Sequence, residues 1–191
     1  MRQLHEAPAT RIDSQDPRYH AVVARRFNKR FIATPDYVCL ADSSSLVRAA
    51  VQEAVSEGRR VVATSGGHCL EGFVSDPEVR VIVDVSPMKR IYHDADMRDS
   101  GGARRHGGDT FRARYEQWGT VIPLGEYPGI GMGGHVVGGA FGFLCRQLGL
   151  AADYLYAVEV VAGDGDGRAE AVVGTGDGDG PYHQVWWGQT G

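Results

Sequence analysis

The chain has 191 residues, of which 42% are hydrophobic and 23% are charged, with a formal net charge of −4. This balance is typical of a globular protein and excludes wholesale disorder, while the acidic charge argues against a nucleic-acid partner. Glycine is the outlier, because 27 glycines are about twice the usual share and follow no collagen-like period. Backbone that approaches a ligand closely is therefore the first expectation.

The sequence shows no targeting signal. No apolar run reaches the ~18 residues of a membrane span, and the N-terminus has no apolar signal-peptide core. A cytoplasmic protein without a membrane partner is therefore predicted. Cys39, Cys69 and Cys145 fit neither a disulfide framework nor a CxxC metal motif. Since the histidines form no HxH or HxxxH pair either, no metal site is predicted.

The first half of the chain predicts an α/β unit. Residues 1–34 are polar and irregular, and are interpreted as an arm leading into the domain. Apolar residues at helical spacing, with serines before them and Gly58 after them, predict a helix over 46–55. Two β-branched runs then predict strands over 60–64 and 79–85.

The middle of the chain predicts a surface loop or a boundary between two lobes, because 94–109 is polar and contains glycine. Asp109 is placed to cap a helix over 110–118, which Gly119 would end. The next stretch, 129–142, holds seven glycines in fourteen residues. Such a composition predicts that this stretch is not helical.

The last third of the chain predicts a strand over 154–161 and a shorter strand over 169–173. Two adjacent tryptophans, Trp186 and Trp187, lie near the end of the sequence. Large aromatic surfaces normally find a core, so these two side chains are expected to be buried by further chain.

A dinucleotide-binding fingerprint is matched by residue type but not by its sequence context. Gly129, Gly131 and Gly134 match GxGxxG, and Asp153 lies where a ribose-binding acid would be expected. A Rossmann turn needs a strand directly before the first glycine, whereas Tyr127-Pro128 precedes it here. A Rossmann site is therefore not favoured.

Two glycine runs, at 65–67 and 129–142, could nevertheless hold a pyrophosphate through backbone N–H groups. Tight turns would explain the same glycines equally well. His68 favours the ligand-binding interpretation, because it directly follows the first run at a strand end. An imidazole there could act as a nucleophile or a base. A serine hydrolase is not supported, since there is no GxSxG motif.

Four motifs in order resemble those of berberine-bridge-enzyme-like flavoprotein oxidases, in the vanillyl-alcohol-oxidase superfamily. They are SGGH at 65–68, VDVSPMK at 83–89, PGIGMGGHVVGGAFG at 128–142 and GLAAD at 149–153. The resemblance covers roughly residues 30–191, and it is nearest to bacterial members that oxidise sugars or tailor antibiotics.

The resemblance implies an α+β fold, a two-lobed PCMH-type FAD-binding domain over 35–191 with FAD between lobes of about 35–95 and 96–191. It implies an FAD-linked oxidase of secondary metabolism that passes hydride from a sugar or glycosylated or phenolic small molecule to flavin N5, with oxygen giving peroxide. Family members have a C-terminal substrate domain that this chain is expected to lack. The alternative is therefore a truncated, non-catalytic flavin-binding or partner-binding domain.

The resemblance also implies roles for individual residues, although it places no catalytic residue in this chain. His68 would bond covalently to the flavin 8α-methyl group, as the single link, because Tyr127 replaces the cysteine of a second link. His135 would support the ribityl chain with positive or donor character, Val160 would contact the adenine, and Cys145 is expected to be a small buried residue. The implied cofactor-binding residues are Ser65, Gly66, Gly67, His68, Cys69, Tyr127, Pro128, Gly129, Gly131, Gly133, Gly134, His135, Gly138, Gly139 and Val160. One departure is the segment 101–106, which weakens the predicted second sheet.

Overall fold

The computed structural model describes residues 9–91, 106–163, 166–178, 180 and 182–190. In its first half, the strands and helices are β1 Thr10–Asp13, α1 Tyr19–Val23, β2 Tyr37–Leu40, α2 Ser44–Ser56, β3 Val61–Thr64 and β4 Val81–Asp84. In its second half, they are α3 Gly107–Trp118, α4 Met132–Val137, α5 Cys145–Leu148, β5 Ala157–Gly163, β6 Ala169–Thr175 and α6 His183–Thr190. Short 3₁₀ helices lie at Phe73–Ser75 and Ala151–Tyr154.

The first sheet has the order β1-β2-β4-β3, and its last three strands are parallel. All four residues of the central strand β4 are buried, because apolar side chains cover both faces of the sheet. Ala50 and Ala54 of α2 pack on one face against Val81 and Val83. The carboxyl ends of the three parallel strands meet at one edge, which is where open α/β sheets usually bind ligands.

The interpretation of residues 1–34 as an irregular arm is wrong for β1 and α1. β1 pairs antiparallel with β2. Its Ile12 is fully buried and packs in one cluster with Tyr19 and Val23 of α1. The Tyr19 hydroxyl also donates a hydrogen bond of 2.5 Å to the Pro35 carbonyl. A four-residue edge strand with a single fully buried side chain is too short for its alternation to be recognised in sequence.

The predicted helix over 46–55 and the strands over 60–64 and 79–85 are confirmed as α2, β3 and β4. The helix that ends at Gly119 is confirmed as well, since Gly119 adopts a φ of 62° after α3. The predicted cap Asp109 is wrong, because α3 begins at Gly107 and Asp109 lies within its first turn. Most of the predicted loop over 94–109, including residues 101–105, lies outside the described residues, and the lobe boundaries stay a prediction.

The second sheet consists of β5 and β6, paired antiparallel, which confirms the predicted strand over 169–173. The strand predicted over 154–161 begins later, at Ala157, because 151–154 form a 3₁₀ helix. Gln52 of α2 donates a hydrogen bond to the Gly167 carbonyl and accepts one from the Ala169 N–H. Helix α2 thus lies between the two sheets, and the expected α+β class is confirmed.

The two tryptophans of α6 differ in their surroundings. Trp186 is half-buried, and its indole N–H donates a hydrogen bond of 2.7 Å to the Leu155 carbonyl. Trp187 is 61% exposed. The expected burial thus applies in part to Trp186 and not to Trp187. Among the described helices, none has both the length and the apolar character needed to cross a membrane.

Candidate functional site

The two glycine runs meet at the carboxyl edge of the first sheet. The run at 65–67 leaves β3 directly after Thr64, and Gly66 contacts Gly131 of the second run. A Cβ atom on Gly66 would lie 2.3 Å from the Gly131 nitrogen, and one on Gly131 would lie 2.3 Å from the Ser65 hydroxyl oxygen. Because real Cβ contacts are never this short, the approach requires glycine on both sides. The structure therefore brings together the two runs that the sequence indicated.

The second run contains a helix, so the prediction that 129–142 is not helical is wrong for α4. Met132, the first residue of α4, is buried with Leu124, Ala140 and Ala151, and this packing outweighs the poor helix propensity of glycine. Cβ atoms added to Gly133 and Gly134 would have no heavy atom within 4 Å. Packing within the described residues therefore does not explain why these two positions are glycine.

The His68 imidazole contacts two aromatic rings, and we call the three residues Phe27, His68 and Tyr127 the aromatic cluster. The Phe27 ring stacks on the imidazole at a centroid distance of 4.9 Å and an interplanar angle of 21°. The Tyr127 ring lies 4.9 Å from the imidazole, tilted by 56°. Burial, and secondly the nearby charge of His106, lower the pKa of His68 below its usual 6.5. The imidazole is therefore neutral at pH 7.

Phe27 and His106 were missed by the sequence analysis. Phe27 belongs to the segment interpreted as an irregular arm, and no periodicity marks it. His106 forms an isolated β-bridge with Gly131, which places it at the second glycine run. The signal that could have found Phe27 is the presence of a large aromatic ring in an otherwise polar stretch.

The loop that carries His68 is held in place by contacts with residues 25–27. Gly67 has a φ of 73°, and a Cβ atom there would lie 2.6 Å from the Arg25 carbonyl oxygen. The Phe27 N–H donates a hydrogen bond of 2.9 Å to the Gly67 carbonyl. The Arg25 guanidinium also pairs with Asp84, a fully buried carboxylate at the end of β4. The position of His68 thus depends on residues that precede the first parallel strand.

His135 serves as a hydrogen-bond acceptor. The Gly125 N–H donates a hydrogen bond of 2.8 Å to His135 Nε2. Burial lowers the pKa of His135 below 6.5, so the ring is neutral at pH 7 and carries its proton on Nδ1. Of the positive or donor character expected at this position, the lowered pKa favours donor character. Nδ1–H remains as a donor, and support of the ribityl chain stays a prediction.

Acid should weaken the fold through His135. Its pKa is lower in the folded chain than in the unfolded chain, so its stabilising contribution is complete above about pH 6.5 and is lost as the pH falls through the folded pKa. Protonation removes an acceptor for the Gly125 N–H, a loss of about 1 kcal/mol. We expect His135→Gln, whose amide oxygen still accepts that bond, to show a smaller loss of unfolding free energy between pH 8 and pH 5. Parallel pH profiles in urea titrations would contradict this role.

The remaining predicted residues have plain structural settings. Pro128 ties the second run to α3, because its carbonyl accepts a 3.0 Å bond from the Gly108 N–H. Cys69 is half-buried, and Val160 lies within β5 opposite Val172. The expectation that Cys145 is a small buried residue is wrong. Cys145 is half-buried, accepts a 3.0 Å hydrogen bond from the Gly142 N–H, and lines a cavity of about 630 Å³.

The Rossmann interpretation is not supported by the geometry either. The Asp153 carboxylate has a structural role, because it accepts a 2.7 Å hydrogen bond from the Leu150 N–H within its own turn. A turn, and no strand, directly precedes Gly129 in the described residues. The glycine arrangement therefore belongs to a class other than the Rossmann turn.

Comparison with known proteins decides which class. A protein-family model described as an FAD-binding domain matches residues 35–168. The chain belongs to this family. Among the relatives of this FAD-binding domain is the aclacinomycin-N/aclacinomycin-A oxidase of Streptomyces galilaeus, 45% identical over 95% of the chain. Another is the hexose oxidase of Chondrus crispus, 35% identical over 78% of the chain.

Solved structures show the same relationship. A glycopeptide hexose oxidase complexed with teicoplanin matches 97% of the chain with a TM-score of 0.91 and 41% identity. Aclacinomycin oxidoreductase matches 97% of it with a TM-score of 0.90 and 44% identity. The chain covers 37% and 38% of those two structures' chains, and 33% and 28% of the two curated relatives. It thus spans about a third of the length of the proteins that it matches.

The residues of this FAD-binding domain fit its cofactor. Two glycine runs in backbone contact offer N–H donors without side chains in the way, and the space in front of Gly133 and Gly134 is open. The resemblance to berberine-bridge-enzyme-like oxidases is confirmed, and so is the expected PCMH-type FAD-binding fold. FAD is therefore the cofactor of the domain.

Proposed function

We propose that the chain is the FAD-holding part of an oxidase that acts on a sugar or on a glycosylated or phenolic small molecule, in the tailoring of secondary metabolites. The similarity to an aclacinomycin oxidase, a hexose oxidase and a glycopeptide hexose oxidase supports this substrate class. FAD supplies a ring that accepts hydride from a substrate carbon and returns the electrons to oxygen, giving peroxide. The observation that carries the proposal is the meeting of the two glycine runs beside His68.

The glycine runs are proposed to hold the pyrophosphate. Backbone N–H groups of 65–67 and 129–134 are donors that need no lysine or arginine, which agrees with the net charge of −4. Gly138 and Gly139 extend this surface beyond α4, and Gly139 adopts a φ of 87°. Cys69 and Pro128 flank the runs in sequence. Val160 of β5 is the proposed backbone contact of the adenine.

His68 is proposed to tether the cofactor covalently. The bond would join an imidazole nitrogen to the methyl carbon at the 8α position, breaking an N–H and a C–H bond. The two electrons left on the flavin would pass to oxygen. Support comes from the neutral, partly exposed imidazole beside both glycine runs. Tyr127, whose ring lies next to the imidazole, has no thiol, so a single link is proposed.

Acid precipitation of the purified protein tests the tether. We expect the yellow colour to remain with the wild-type polypeptide, whereas His68→Ala should release all of its flavin to the supernatant. His20→Ala is the matched control, because His20 is exposed on α1 and lies outside the aromatic cluster. Free flavin in the wild-type supernatant would overturn covalent attachment and leave FAD binding intact.

Peroxide formation separates an oxidase from a module that only binds flavin. The flavin-loaded protein is incubated with hexoses and glycosylated phenols, and peroxide is measured. Peroxide formation from any of these hexoses or glycosylated phenols supports the oxidase proposal. Stoichiometric flavin without peroxide from any substrate would favour the binding module.

A further inference from the structure

Phe27 is a large apolar ring outside the core. Its side chain is 55% exposed, yet its ring is nearly parallel to the imidazole of His68 at a centroid distance of 4.9 Å. Tyr127 contacts both rings, at 5.6 Å from Phe27 and 4.9 Å from His68. Phe27 thus covers one face of the imidazole, and Tyr127 lies at an angle beside it.

The backbone around Phe27 is tied to the His68 loop on both sides of the histidine. On one side, the Phe27 N–H donates to the Gly67 carbonyl at 2.9 Å. On the other side, the Asn28 side-chain amide donates to the Leu70 carbonyl at 2.8 Å. These bonds fix the Phe27 Cα relative to the His68 backbone, so the stacked ring limits the rotamers that the imidazole can adopt.

We propose that Phe27 is a positioning residue, which holds the His68 imidazole by stacking in the orientation that forms the bond to FAD. This inference rests on the proposed tether at His68. A neutral imidazole has one nitrogen lone pair free to attack, and the stacked ring limits the directions in which that lone pair can point. Orientation matters because misplacing a reacting atom by about 1 Å slows reactions by about a hundredfold.

Three variants test the inference. Phe27→Leu removes the ring but keeps much of the apolar volume, Phe27→Tyr keeps the ring, and Phe111→Leu removes a partly exposed ring on α3. Each chain is prepared without flavin and then mixed with FAD, and the flavin retained after acid precipitation is followed over time. We expect Phe27→Leu to slow attachment by at least about tenfold, while the other two variants stay within about twofold of the wild type.

A second measurement needs no flavin. The side-chain rotamers of His68 in the isotope-labelled chain are measured by NMR, and Phe27→Leu is expected to populate additional rotamers, whereas Phe27→Tyr is not. Circular dichroism confirms that each variant is folded.

The outcomes separate the two proposals. Slow attachment in Phe27→Leu, rescued by tyrosine, supports the positioning role. Equal attachment rates in wild type and Phe27→Leu, with unchanged His68 rotamers, overturn that role and leave the tether standing. Absence of covalent flavin in the wild type overturns both.

Discussion

Gly131→Ala is expected to destabilise the fold by about 3 kcal/mol, because the new methyl group would overlap two neighbouring groups. It would lie 2.3 Å from the Ser65 hydroxyl oxygen and 2.4 Å from the Gly66 nitrogen. The Gly66 nitrogen is backbone at the end of β3, so it cannot move aside as a flexible side chain could. The φ of −72° and ψ of 130° at Gly131 suit alanine, so the effect isolates the contact between the runs.

Gly134→Ala is the matched control for Gly131→Ala. It lies three residues further on, inside α4, and its added methyl group meets no heavy atom within 4 Å. Alanine is the better helix former, so the flavin-free chain should gain up to about 1 kcal/mol. Urea unfolding of both flavin-free variants measures the difference. Equal stability of the two variants would show that the runs do not touch in solution.

Arg25→Ala is expected to destabilise the chain by about 2–3 kcal/mol, somewhat less than a fully buried pair, because half of the arginine side chain faces solvent. Asp84 is 1% exposed, and one of its carboxylate oxygens pairs with Arg25. The other oxygen accepts a 2.9 Å bond from the Ser86 N–H. Removing Arg25 leaves a buried carboxylate short of a partner, so the loss exceeds that of a surface pair.

Arg112→Ala provides the comparison for Arg25→Ala. Arg112 lies 4.0 Å from Glu116 on α3, and both side chains are mostly exposed. We expect a change below about 0.5 kcal/mol, as for other exposed pairs on helices. Urea unfolding at pH 7 compares the two, and equal effects would mean that burial of Asp84 adds nothing to the pair with Arg25.

The central part of the first sheet could be predicted because its signals are local. Helical spacing marks α2, and runs of β-branched residues mark β3 and β4. β1 and α4 could not be predicted in this way. The strand exists because β2 offers it a partner, and the helix exists because Met132 has a core to enter. Both depend on contacts distant in sequence.

In the candidate site, too, local sequence signals could be predicted and contacts between distant residues could not. The residues at 65–68 are conspicuous in sequence, since two glycines and a histidine follow a predicted strand. That Gly66 touches Gly131 could not be predicted, because the two glycines lie far apart in sequence and only the folded chain brings them together. The Phe27 ring is visible in the sequence, but its stacking on His68 could not be predicted, because that contact is a property of the folded chain. The neutral state of His135 likewise depends on its burial and its bond from Gly125.

The hydrogen bond between Phe27 and Gly67 joins an early part of the chain to the loop that is proposed to receive the phosphates. A ligand that binds this loop only while the hydrogen bond is formed must also stabilise residues 25–28 in their hydrogen-bonded conformation, by reciprocal linkage. Binding of the cofactor therefore lowers the population of molecules in which residues 25–28 have opened locally. Saturating the loop would slow amide exchange at Phe27, even though no atom of the ligand need touch that amide.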